Sequence, residues 1–152
     1  MKKMLFGLLI LSSFNACKDK KLHIGDYSFI VGNWNSAGTD SYENWISNGK
    51  GYSGVAMRII NNQLTKVDSM LLVEENGTVQ MILHVAYSTK KKSVYTLVGN
   101  SVEVAYFLND STFPNQIAYR PKIGSNNLVV AAGANLQTKE KAFEFLYVPS
   151  SF

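Results

Sequence analysis

The chain has 152 residues, long enough for one domain with a real core. Hydrophobic residues make up 46% and charged residues 17%, which excludes a disordered or fibrous chain. With Lys2 and Lys3 set aside as part of a leader, thirteen basic residues face eleven acidic ones. Arg is confined to Arg58 and Arg120, so no nucleic-acid footprint exists and no nucleic-acid partner is expected.

The first stretch, MKKMLFGLLILSSFNAC, has a basic start, an apolar run over 4–11 and a mostly small or polar run over 12–16 that ends at Cys17. The apolar run is far shorter than the ~20 residues a spanning helix needs, and it reads as a secretory signal. An Ala directly before the first Cys resembles a bacterial lipoprotein signal. The resemblance implies cleavage after residue 16, acylation of Cys17 and attachment to a membrane of the cell envelope. The expected membrane is the outer one, with the domain periplasmic or surface-facing. Phe14 stands where such signals usually carry Leu, a looser pattern similar to that of Bacteroidetes-type bacteria. Two or three acyl chains give the stable anchoring that one chain does not. Cys17 is the sole cysteine, so no disulfide framework is available and the core must supply the stability. Residues 17–26 read as the lipidated cysteine and a polar tether, and 27–150 as the folded domain.

A short helical turn is expected over 26–31, and from there the pattern has period two. VQMILHVAY sets Val79, Met81, Leu83, Val85 and Tyr87 on one face. SVEVAYF alternates Val102, Val104 and Tyr106 against Glu103, Ala105 and Phe107, and AFEFLYV alternates Phe143, Phe145 and Tyr147 against Glu144, Leu146 and Val148. Such β-branched and aromatic alternation predicts strands. Asn61-Asn62, Asn76-Gly77, Gly99-Asn100 and the 124–127 cluster punctuate them, and Asn-Gly favours tight hairpins. About ten candidate strands with no room for crossover helices predict an all-β antiparallel meander. Closing it into an up-and-down barrel removes the exposed edges; a sandwich is the alternative.

VGNWNS places Gly32-x-Trp34 at the first strand, similar to the opening of lipocalins and related calycin barrels, where the indole plugs the closed end. YENWISNGKGYSG, KVDSMLLVEENG and VAYFLNDSTFPNQIAYR follow in order. Together they resemble a family of uncharacterised bacterial proteins with a lipocalin-like barrel, DUF6265, over 29–148. The most specific piece is Phe107-x-Asn109 with Phe113-Pro114-x-Gln116-Ile117-x-Tyr119-Arg120. Ser111-Thr112 replace the family's usual His-Asp pair, so any role of that pair is absent here. The resemblance also implies acids at Glu43 and Asp68, the latter in place of a commoner Glu.

No catalytic constellation emerges, and no enzyme activity is expected. His23 and His84 have no metal-ligand spacing, and GYSGV lacks the frame of a nucleophile elbow. No cofactor or metal is expected. Glu43, Arg58 and Asp68 fall on consecutive predicted strands, with Trp45, Met57 and Met70 as adaptable apolar neighbours. A small barrel can converge a few polar groups in an apolar cavity to orient a ligand. Glu43, Trp45, Arg58, Asp68, Gln116 and Tyr119 are therefore the expected contacts of a small apolar or amphipathic ligand. Gly32, Trp34, Phe113 and Pro114 are expected to be structural. The lysines of STKKKS, 88–93, read as a solvated hairpin tip. Asp110-Ser111-Thr112 is similar to an O-glycosylation acceptor, which makes Ser111 a candidate for modification. The alternative function is a filled barrel that serves as an interaction module of the cell envelope.

Overall fold

Asn61 and Asn62 both adopt positive φ, 53° and 60°, and Asn76 and Gly77 do the same at 51° and 72°. Consecutive left-handed residues match the twist of the strands they join, so these pairs close two tight hairpins. The computed structural model describes residues 21–86, 92–99 and 101–151. Cys17, the expected leader over 1–16 and residues 88–91 of the lysine-rich stretch lie outside the described residues.

The described residues form a 3-10 helix, Ile24–Ile30, and ten strands. These are β1 (Gly32–Ser36), β2 (Ser41–Ser47), β3 (Gly51–Ile60), β4 (Gln63–Glu75), β5 (Thr78–Val85), β6 (Ser93–Leu97), β7 (Ala105–Leu108), β8 (Gln116–Pro121), β9 (Leu128–Gly133) and β10 (Phe143–Pro149). Each strand pairs antiparallel with the next, and β1 pairs with β10. The result is a closed up-and-down barrel with no free sheet edge, not a sandwich.

The expected helical turn lies slightly earlier, and residues 24–26, which composition assigns to a tether, form its first half. The backbone N–H of Ile24 donates to Glu74 Oε2 at 3.0 Å, and His23 Nδ1 lies 3.1 Å from Glu74 Oε1. Tyr27 and Ile30 are buried in the core, and the Tyr27 hydroxyl donates to the Ser101 carbonyl at 3.3 Å. These contacts fall at the start of β1, the end of β4 and the approach to β7, which antiparallel pairing places at one end of the barrel. The 3-10 helix closes that end.

Trp34 completes the closure. Its Nε1 donates to the Ile30 carbonyl at 2.8 Å. Gly32 has φ of +150°, and a Cβ there would stand 3.3 Å from the Trp34 ring, so the indole folds back over a position that suits glycine.

One expected strand is shorter than its alternation suggests. Val102 and Glu103 form a bend, and β7 begins at Ala105. Ser101 is occupied twice: its carbonyl takes the Tyr27 hydroxyl, and its Oγ takes the Glu103 N–H at 3.1 Å. A side chain that bonds the backbone two residues on gives the chain an alternative to a ladder. From Ala105 the alternation holds, with Ala105 and Phe107 in the core.

Candidate functional site

Strand register builds the site before any side chain is considered. Glu43 is paired with Ala56, and Ala56 with Asp68. Residues directly opposite in a ladder share a face. The two acids therefore lie on the inner face of β2 and β4, with small Ala56 between them. One step toward the closed end, Trp45 is opposite Gly54 and Gly54 opposite Met70. A Cβ at Gly54 would stand 2.7 Å from the Trp45 ring, so glycine makes room for the indole to lie across β3.

Trp45, Glu43 and Tyr119 form a floor across the barrel. Trp45 Nε1 donates to Glu43 Oε2 at 2.8 Å. The Tyr119 hydroxyl donates to the same oxygen at 3.3 Å, and the two rings meet edge to face at 5.9 Å. The Tyr147 hydroxyl is a further hydrogen-bond donor to Glu43. Below the floor the interior is filled by Tyr52, Leu72, Val79, Met81, Phe107 and Leu128, with Tyr27, Ile30 and Trp34 at the closed end. Above it is a chamber of about 200 Å³. Its walls include Met70, Leu83, Ile117, Val130, Phe145 and Tyr147, and its charged residues are Glu43, Asp68 and Arg58.

The electrostatics follow from this placement. Glu43 is 8% exposed, and burial pushes its carboxyl above the usual range. The three donors pull in the opposite direction, and Asp68 adds a further upward push. Burial also raises Asp68, with the Arg58 charge offsetting part of the effect. The Tyr119 and Tyr147 phenols are driven upward by burial and by Glu43, so both remain neutral donors.

The expected contacts separate into those the chamber gathers and those it does not. Glu43, Asp68 and Tyr119 come together, and Arg58 stands exposed at the mouth where its charge reaches Asp68 and Tyr147. Trp45 acts from below by holding Glu43. Gln116 is outside the chamber: its Oε1 accepts the Leu136 N–H at 2.7 Å and fixes the segment before β10. Phe113 is 58% exposed on the β7–β8 connection and does not fill the core. The Pro114 carbonyl takes the Tyr95 hydroxyl at 2.9 Å, and Asn109 Nδ2 donates to the Val94 carbonyl at 2.8 Å, so this connection is clasped to β6. Ser111 is exposed there, with its N–H on Asn109 Oδ1 at 2.7 Å. His84 is exposed, and among the described residues no cluster of His, Cys, Asp and Glu could hold a metal.

Sequence reasoning missed Tyr147 as a site residue. The signal was present in the Phe143, Phe145, Tyr147 alternation, but nothing local marks the member that reaches a carboxylate on another strand.

Fold and site together define a closed β-barrel with one half filled and one half open above a buried acid. No family model, no curated protein and no solved structure matches the chain.

Proposed function

We propose that this protein is a lipid-anchored, lipocalin-like barrel of the bacterial cell envelope, related to DUF6265, that binds a small amphipathic molecule without transforming it. The observation that carries the reading is the chamber of about 200 Å³ over the Glu43 floor, where apolar walls surround a few polar groups. Such a composition orients a ligand by its polar end and holds it by its apolar body. The volume is below the ~300–1,000 Å³ common for drug-sized ligands, so the occupant is small.

Anchoring through Cys17 fits the same picture. Lys21 lies beside Gly77 at the closed end, and the four residues back to Cys17 span at most ~14 Å. A lipid there holds the closed end near the membrane and turns the mouth away. A Cys17→Ser protein is expected to remain unprocessed or to be released from the membrane, and equal labelling of mutant and wild type by a lipid analogue would contradict this.

A second reading is a protein-interaction module. Ile59, Ile60, Leu64, Val85, Phe113 and Phe143 are exposed and fall at or near the open end, an apolar rim suited to a partner. The two readings separate by titration with phenethyl alcohol, a small neutral probe. Trp45 is bonded to Glu43, so a ligand that reaches the floor changes its fluorescence. Saturable change supports ligand binding; its absence supports the rim.

A further inference from the structure

The chamber's charges are unbalanced. Among its described lining residues, two acids, Glu43 and Asp68, face one cation, Arg58. Arg58 stands at the exposed mouth, where its charge acts on Asp68 and Tyr147. Glu43 has neutral partners instead, the Trp45 indole and the Tyr119 and Tyr147 phenols. We infer that the ligand's polar end is an organic ammonium group that sits on Glu43 as the missing cation, with a short apolar body against Met70, Val130 and Phe145. The inference rests on the reading of the chamber as a ligand site and names the class of ligand.

Three features select an ammonium over an alcohol or a carboxylate. An adjacent positive charge favours the ionised form of Glu43, which an alcohol cannot do. Tyr119, Tyr147 and Phe145 line the same space, and aromatic rings attract cations. An anion could meet Arg58 at the mouth, but deeper entry brings it toward two acids. The volume also suits a small body, equal to about six or seven waters at ~30 Å³ each.

The pH dependence has one direction. The titratable or charged groups that line the chamber with Glu43 are Tyr42 from β2, Arg58 from β3, Asp68 from β4, Tyr119 from β8 and Tyr147 from β10. Both acids are shifted upward, so raising the pH ionises them and strengthens ammonium binding while the amine keeps its proton. A neutral probe has no such dependence.

The test is calorimetric titration of the full-length protein with phenethylammonium, phenethyl alcohol and 3-phenylpropanoate. The expected result is phenethylammonium binding at least about tenfold more tightly than the other two at neutral pH, within the coupling that close charge pairs reach. Glu43→Gln should remove that preference, so that phenethylammonium and phenethyl alcohol bind the variant within about twofold of each other. If Glu43→Gln does not melt cooperatively, wild-type protein decides: phenethylammonium affinity must rise with pH while that for phenethyl alcohol stays flat. Equal affinity for ammonium and alcohol, or preference for the carboxylate, overturns the inference and leaves a ligand-binding barrel. Failure of all three probes to bind overturns both.

Discussion

The Tyr119 hydroxyl stands 3.3 Å from Glu43 Oε2 and joins β8 to β2, strands that are not neighbours in the barrel wall. The bond crosses the interior, so it braces the wall as well as the floor. Tyr119→Phe keeps the ring and removes the donor. The expected cost is about 1–3 kcal/mol, because a buried acceptor loses one of its partners. Urea unfolding of both proteins measures it, and an unchanged midpoint would show that the bond contributes nothing.

Glu43 makes stability depend on pH in a direction opposite to most carboxylates. Its folded-state pKa is raised by burial, so the folded protein holds the proton more tightly than the unfolded chain. The contribution is complete below the unfolded pKa of ~4.3 and is lost as pH rises toward the folded value. Asp68 acts with the same sign. Relative to Glu43→Gln, wild type should therefore lose stability from about pH 4 upward. Thermal melts of both proteins at several pH values give the difference, and a rising difference would contradict the assignment.

Glu74 has the opposite sign. The Ile24 N–H, followed by His23, holds its carboxyl below the usual range. Its contribution is present above the unfolded pKa and is lost as pH falls through the lowered folded value. Glu74→Gln should speed hydrogen exchange of the Ile24 amide at neutral pH and narrow the gap to wild type in acid. Equal exchange in both proteins at neutral pH would show that the carboxylate does not hold the 3-10 helix.

Trp34 is buried and holds the Ile30 carbonyl, so Trp34→Ala removes packing and a hydrogen bond together. Truncating a buried Trp costs about 3–5 kcal/mol, close to the whole margin of a small domain. Loss of a cooperative melt, or a midpoint far below wild type, is expected. A change within about 0.5 kcal/mol, the range of surface sites, would place the indole outside the core.

The barrel is readable in the sequence because each strand carries its own alternation. Val79 and Met81 face inward and Asn76-Gly77 turns the chain, and both facts are local. Closure is less local, since it depends on β1 pairing with β10 across most of the chain. Glu43 and Asp68 are readable as a pair because consecutive strands put them in one row. Arg58 is less so: the register shifts between Ala56 and Met57, leaving Val67 without a counterpart on β3, and period two no longer decides where Arg58 points. Gln116 lies in the same motif as Tyr119, yet its partner is the Leu136 backbone, a contact that neighbouring residues do not announce.

The central claim is that the chamber above Glu43 takes a small ligand, and the methionine methyl groups report on it directly. Met70 lines the chamber with its sulfur 3.8 Å from the Tyr119 hydroxyl, whereas Met81 is buried below the floor. In protein carrying ¹³C-methyl methionine, titration with phenethyl alcohol should shift the Met70 resonance saturably and leave Met81 in place. A Met70 resonance that does not move, or a linear drift of Met70 and Met81 together, would contradict the account.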